Sequence, residues 1–337
     1  MLGGISVHLK RVHAKLRKQG NCVVWYDIEN EYIRRSFFAY WCALLRTLWA
    51  EKPDEVYYHG MTLHRHLLEP VFLVVCKWLL GYRLLIMHHS SRFLAERGCL
   101  YRVLLRWLVQ RVDQQVFVGT HTQDSFKAIG CVVPGRISVE SPFLPPDLRE
   151  CDLLYAQYPE SLKTFVAGDA PVVVINASRC VLYHGIDLYG IDMAIALVQE
   201  LRKDWIPVQA GDDILPSVCY PVRPERSRRK RSLKLVIAIS TVSDPVYYEE
   251  LRARTDDRWC YWLVGFQQEL WPLFAHCDVL VRPTASDTFG ISVQEALLVG
   301  TPAVASDVCE RPAGTVLFNN RDQQDFNRAV KKVLKNE

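Results

Sequence analysis

The sequence predicts an α/β protein made of two halves, each a parallel sheet flanked by helices. Three observations carry this. Short apolar runs alternate with amphipathic stretches along most of the chain, which is the pattern of strand–helix–strand units with right-handed crossovers. That pattern breaks once, around Pro142, Pro145 and Pro146, and restarts near Ala170. The length of 337 residues suits two domains of about 150 residues each.

In the first half, strands are expected at 21–26, 55–58, 83–88, 115–118 and 137–140, with helices at 7–18, 35–50, 67–80, 100–112 and 124–129. Runs such as LLIM at 84–87, inside the strand expected at 83–88, are apolar on consecutive positions, as strands buried on both faces are. The most apolar stretch, 67–86, is interrupted by Glu69, Pro70, Lys77, Gly81 and Arg83. It reads as a helix then a strand, because a spanning helix wants about 20 nearly uninterrupted apolar residues. Residues 145–170 read as a hinge, with 1–150 a first domain, 151–170 a linker and 171–337 a second domain. PVVVI at 171–175 opens the second half as a buried strand. Further strands are expected at 233–239, 259–263, 279–281 and 302–305, with helices at 191–202, 246–253 and 291–298.

Composition excludes several classes. Half the residues are apolar and 23% are charged, as in an ordinary globular protein. A net charge of +4 gives no basic face for nucleic acid, though it allows attraction to an anionic membrane surface. Eleven cysteines with no CxxC pair read as reduced thiols in a reducing compartment. The opening residues lack a charged and then apolar leader. The expected location is therefore cytoplasmic.

The informative stretch is LVRPTASDTFGISVQEALLVGTPAVASD, residues 280–307. A buried strand ends, a polar loop follows, and Asp287, Thr288 and Gly290 open a helix that stops near Gly300. Such a strand-to-helix loop is where α/β folds bind ligands. The helix N-terminus favours a phosphate, Gly290 lets backbone approach closely, and Arg282 adds a cation. Asp287 and Glu295 would be repelled by phosphate, so sugar and ribose hydroxyls are their natural partners.

This stretch resembles the acid-x7-acid motif of retaining glycosyltransferases of the GT-B fold, family 4 type. Asp287-Thr-Phe-Gly-Ile-Ser-Val-Gln-Glu295-Ala and Gly300-Thr-Pro-Ala-Val follow that family's order. The resemblance implies two Rossmann-like domains facing each other across a cleft. It implies Asp287 on donor-sugar hydroxyls, backbone N–H groups of Phe289, Gly290, Ile291 and Ser292 on the diphosphate, and Glu295 on the ribose. Ser292 and Gln294 point to a polysaccharide-assembly branch.

Other segments are placed by the same resemblance. Gly3 and Gly4 correspond to the family's glycine loop, which approaches donor and acceptor. His89, rather than His88, falls at the active-site histidine. Arg179 takes the place of a diphosphate-clamping arginine, while the clamp lysine is replaced by Tyr189. Arg282 and Arg311 are the available substitutes. The family has a strand before its glycine loop, whereas this chain opens at the loop, so the first sheet is expected to lack that strand. His64 and His66 form an HxH without further ligands, and no Asp-x-Asp occurs, so no metal and no cofactor are expected.

The implied reaction is transfer of a sugar, with retention, from a nucleotide-sugar to a polysaccharide or lipid-linked saccharide acceptor. The competing readings are an epimerase-like enzyme of the same fold and a non-catalytic paralogue. Residues 100–111 set Arg102, Arg106 and Arg111 among Leu, Trp and Val, which suits either ordinary core or peripheral contact with the cytoplasmic membrane face. Residues 223–234 hold seven Lys or Arg against one acid, a solvated loop or a second such contact.

Overall fold

The computed structural model describes residues 4–26, 37–60, 68–89, 91, 94, 98–141, 143–168, 170–204, 233–266 and 268–335. The chain divides into two compact units, Lys10–Pro142 and Phe143–Glu337, with Met1–Leu9 grouped with the latter.

The first unit follows α1 (Gly4–Lys18), whose residues up to Leu9 group with the other unit, with α2 (Phe37–Glu51), β1 (Glu55–Gly60), α3 (Leu68–Leu80), β2 (Arg83–His88), α4 (Cys99–Val109), β3 (Gln114–Val118), α5 (Thr120–Ala128) and β4 (Ile137–Glu140). Its four strands pair in parallel in the order β1-β2-β3-β4. Period-two alternation splits β2 between two faces. Leu84 and Ile86 join a core with Tyr40 and Leu44 of α2, Leu73 of α3 and Leu108 of α4. Met87 packs with Val116 and Val118 on the other face. Residues 21–26, expected as a strand, form no ladder. Asn21 instead closes α1 by donating its side-chain amide to the Leu16 carbonyl, and Val24 and Trp25 are exposed. An apolar run forms a strand only where a neighbouring strand takes its hydrogen bonds.

The second unit holds α6 (Cys151–Ala156), α7 (Glu160–Ala167), β5 (Val172–Cys180), β6 (Leu182–Tyr183), β7 (Ile186–Asp187), α8 (Ile191–Asp204), β8 (Lys234–Val242), α9 (Pro245–Ala253), β9 (Cys260–Val264), α10 (Trp271–Phe274), β10 (Val279–Arg282), α11 (Ile291–Leu298), β11 (Ala303–Ser306), β12 (Val316–Phe318) and α12 (Gln323–Lys335). The segment expected as a linker is thus largely helical. Tyr158, Leu162 and Val166 are buried against Val172, Val174 and Val236 of the sheet. Leu162 and Val166 are one turn apart, too short a stripe to stand out among polar neighbours.

The six parallel strands run β12-β11-β10-β5-β8-β9. In order of appearance this is 6-5-4-1-2-3, the doubly wound order whose ligand crevice lies outside the carboxyl ends of the two strands where the order reverses. Those strands are β5 and β10, paired through Val173–Ile175 and Val279–Val281. Alternate residues again serve two cores. Val173, Ile175 and Val281 pack under α8 and α12, and Val174, Leu280 and Ala305 under α7, α10 and α11. A small β6–β7 hairpin follows β5. Its two turn residues, His184 and Gly185, both have positive φ, at 52° and 76°, as primed hairpin turns require.

Candidate functional site

Two loops meet at the reversal point, one after β5 and its hairpin and one after β10. Asp187 organises the first. Its Oδ1 accepts from the N–H groups of Tyr189 (2.9 Å) and Gly190 (3.0 Å), and Oδ2 from Asp192 N–H (3.1 Å) and the Tyr247 hydroxyl (2.8 Å). Burial and the neighbouring Asp192 charge push the Asp187 carboxyl up, against these donors. Asp192 is paired in turn with Arg321 at 2.6 Å, a residue held at the left-handed φ of 62°. The Asx pattern of Asp187 was the signal in the sequence for this turn.

Gly190 is where the two loops touch. At φ 72° a Cβ there would lie 2.2 Å from the Pro283 carbonyl oxygen. Gly190→Ala is therefore expected to destabilise the second unit by more than about 2 kcal/mol, from left-handed strain plus overlap with backbone. Urea unfolding of the purified variant checks this, and an unchanged midpoint would contradict the crossing.

The second loop carries the charges. Asp287 Oδ2 accepts from Arg282 Nε at 2.9 Å and from Arg311 Nη1 at 2.8 Å, and Oδ1 from Thr288 N–H at 3.0 Å. The Arg311 side chain is only 1% exposed and also donates to the Ser306 carbonyl, Thr284 Oγ1 and Ser306 Oγ. Arg282 Nη1 reaches the Asn176 carbonyl of β5 at 3.3 Å, and its guanidinium lies 5.6 Å from the Tyr189 ring centre. The Tyr189 hydroxyl meets Ser178 Oγ. Burial alone would raise the Asp287 carboxyl, but the two guanidinium charges outweigh it and hold it well below the usual carboxylate range. Two arginines on one carboxylate leave the cluster with a net charge of about +1.

Directly after Asp287, Gly290 caps α11 in the left-handed conformation, φ 80° and ψ 65°. A Cβ there would come within 2.7 Å of Arg311 Nη1, so the glycine is what admits the arginine. The Val293 N–H donates to the Gly290 carbonyl, and the first N–H groups of a helix have no intrahelical acceptor. Ser292 Oγ is buried without a hydrogen-bond partner. Glu295 is buried one turn further on. The arrangement offers amide donors, a helix dipole and a net positive charge of about one to an anion such as a diphosphate.

Of the residues singled out from the sequence, Arg282, Asp287, Phe289, Gly290, Ile291, Ser292 and Glu295 lie on this one strand–loop–helix. Arg179 stands exposed near the end of β5 and takes no part in the Asp287 network. Arg311, named from the sequence only as a substitute clamp, is central to it. Gly4 begins α1, and Gly3, His64 and His66 lie outside the described residues. Among the described residues no group of three or more His, Cys, Asp or Glu could hold a metal ion.

His89 belongs to the first unit, just past β2. Here the structure separates neighbours that the sequence leaves side by side. His88 is buried against Phe117 and Phe126, with ring centres 5.0 and 4.2 Å away, and burial lowers its pKa to about 3. It is a neutral core histidine beside Gln115. His89 points to the other side, where its Nε2 lies 3.0 Å from Nδ1 of His59 on β1, the two rings stacked. His59 escaped the sequence reading because the parallel register of β1 on β2 alone brings it there.

The family described as glycosyl transferases group 1 matches residues 210–336. The chain is an enzyme of the glycosyltransferase class with the GT-B architecture of two Rossmann-like domains. Its fold is similar to Anabaena Alr3699/HepE in complex with UDP-glucose, at 14% identity and a TM-score of 0.59 over 88% of this chain and 72% of that one. It is also similar to an alpha,alpha-trehalose-phosphate synthase (UDP-forming) from Burkholderia vietnamiensis, at 12% identity and TM-score 0.59 over 88% and 68%. Sucrose-phosphate synthase from Thermosynechococcus elongatus gives 13% identity and TM-score 0.58 over 89% and 70%. No curated protein matches the chain.

Proposed function

We propose that this glycosyltransferase is a retaining enzyme of the family 4 type. It transfers a sugar from a nucleotide-sugar to a polysaccharide or lipid-linked saccharide acceptor, working in the cytoplasm at the inner membrane face. The observation that carries the reading is the start of α11, where an unpartnered Ser292 Oγ and open amide groups adjoin the Arg282–Asp287–Arg311 cluster at the reversal point of the sheet. Solved proteins of similar fold hold UDP, UDP-glucose or UDP-2-fluoro glucose, which supports a uridine nucleotide as the first donor to test.

In this reading the helix amides, Ser292 and Arg282 take the diphosphate, and Glu295 takes the ribose diol. Asp287 acts on the arginines that ligate it, holding Arg282 over Tyr189, and offers its remaining acceptor capacity to sugar hydroxyls. The bond from the anomeric carbon to the diphosphate oxygen breaks as the bond to the acceptor oxygen forms on the same face. The acceptor's proton passes to the departing diphosphate oxygen. The protein supplies position and positive charge for that leaving group.

The experiment is turnover of UDP-glucose with and without a lipid-linked saccharide, the product's anomeric configuration being read by NMR. Acceptor-dependent transfer with retention supports the proposal. Hydrolysis or epimerisation needing no acceptor would replace it with the epimerase-like reading, and binding without turnover with the non-catalytic one. Because arginines and a helix end stand at the diphosphate site, transfer is expected to persist in EDTA, and complete loss restored by a divalent ion would count against it.

A further inference from the structure

The three helices α2, α3 and α4 are apolar on both sides. Their inner residues build the core of the first unit, yet their outer stripes are apolar too. Phe38 and Trp49 on α2, Trp78 and Leu79 on α3, and Leu100 and Val103 on α4 are between 53% and 80% exposed. Phe38, Leu45 and Trp49 on α2, Leu68, Val75 and Leu79 on α3, and Leu100 and Val103 on α4 recur at helical spacing among the exposed residues, so each helix carries one outward stripe, with Trp78 flanking that of α3. The helices adjoin: Trp41 of α2 meets Phe72 of α3 at 4.9 Å, both half-buried at the edge of the core, and the exposed Trp78 of α3 meets Trp107 of α4 at 6.5 Å between ring centres. Scattered surface apolar residues need no explanation, but a contiguous patch marks an interaction surface.

We propose that the outer faces of α2, α3 and α4 form one docking surface for an anionic lipid bilayer, set flat on the membrane with Trp49 and Trp78 at the headgroup level. The inference rests on the lipid-linked acceptor proposed above. Charge selects the occupant. Residues 10–142 hold 19 Lys or Arg against 11 Asp or Glu, so this unit carries the positive excess of the whole chain. Two copies meeting through this face would bring like net charges together, whereas an anionic bilayer is attracted. The stripes hold no carboxylate. Glu69 is buried, and Glu51, two residues past Trp49, falls about 200° round the helix from it. Tryptophans suit the interface between hydrocarbon and headgroup.

The surface also shifts the burden away from the arginines expected to anchor residues 100–111. Arg106 donates twice to the Ile129 carbonyl. Arg111 donates to the Trp107 carbonyl and lies over the Trp107 ring. Both are engaged within the fold, so apolar insertion holds the protein on the membrane and net charge steers it there.

The test is flotation of the full chain with vesicles of equimolar phosphatidylcholine and phosphatidylglycerol, comparing wild type with the triple variant Trp49→Ser, Trp78→Ser, Leu79→Ser. These residues are exposed, so folding should survive, as circular dichroism would verify. Partitioning of the variant is expected to fall at least roughly tenfold, while UDP-glucose binding by calorimetry stays unchanged. Brominated lipid is expected to quench Trp49 and Trp78 fluorescence in wild type. Equal flotation of the two proteins, or no flotation of wild type, would overturn the proposal. So would a wild-type dimer in sedimentation that the triple variant converts to monomer. Loss of the surface with UDP-glucose turnover intact would leave the glycosyltransfer reading standing. Flotation with no acceptor-dependent transfer would do the reverse.

Discussion

Glu295→Ala is expected to weaken nucleotide-sugar binding by about 2–4 kcal/mol, roughly 30- to 700-fold in Kd, while the protein stays folded. The carboxylate sits on α11, whose first turn carries Gly290 and Ser292, and it is buried on the same element that supplies the open amides. A ribose diol bonded there loses a charged acceptor, and such bonds are the strong ones. Calorimetry with UDP and with UDP-glucose measures the loss. The two should lose affinity alike, since both contain the ribose. Equal affinity of the folded variant and wild type would remove Glu295 from the donor site. A loss seen only with the sugar nucleotide would move it to the sugar.

Arg311→Met is expected to destabilise the second unit by about 3 kcal/mol, because breaking a buried pair leaves Asp287 with one guanidinium where it had two. The effect has a pH signature. The folded-state pKa of Asp287 is depressed by Arg282 and Arg311. A depressed carboxylate contributes stability that is fully present above its unfolded value of about 3.9 and is lost as pH falls towards the folded value. The stability gap between wild type and variant should therefore be constant near neutrality and shrink below about pH 4. Urea unfolding at several pH values reads it, and a gap unaffected by acid would show that Arg311 acts by packing alone. Arg282 should also lose its fixed orientation through Asp287, so KM for the donor is expected to rise in the same variant.

Much of this site was legible in the chain. Asp287, Gly290, Ser292 and Glu295 fall on one strand–loop–helix because all lie within nine consecutive residues, where local geometry alone decides proximity. The alternating patterns likewise placed most strands and helices of both units within a few residues. Residues 151–167 were misread because their apolar stripe is only a turn or two long. Residues 21–26 were misread because strand character needs a partner that no local pattern reveals.

The sequence by itself determined the α/β class, the acid-x7-acid loop and its phosphate-favouring helix start, since these depend on spacing along one continuous segment. Only the tertiary structure decided what converges from a distance. The strand order set β5 beside β10 and so brought Gly190 against Pro283. Folding of the chain after β11 carried Arg311 back to Asp287. The parallel register of β1 on β2 paired His59 with His89 and put His88 in the core. Packing of α2, α3 and α4 on one core made neighbours of three helices whose outer residues are apolar. In each case the deciding force is burial of apolar area by elements far apart in sequence, which fixes their relative positions and leaves no trace in local periodicity.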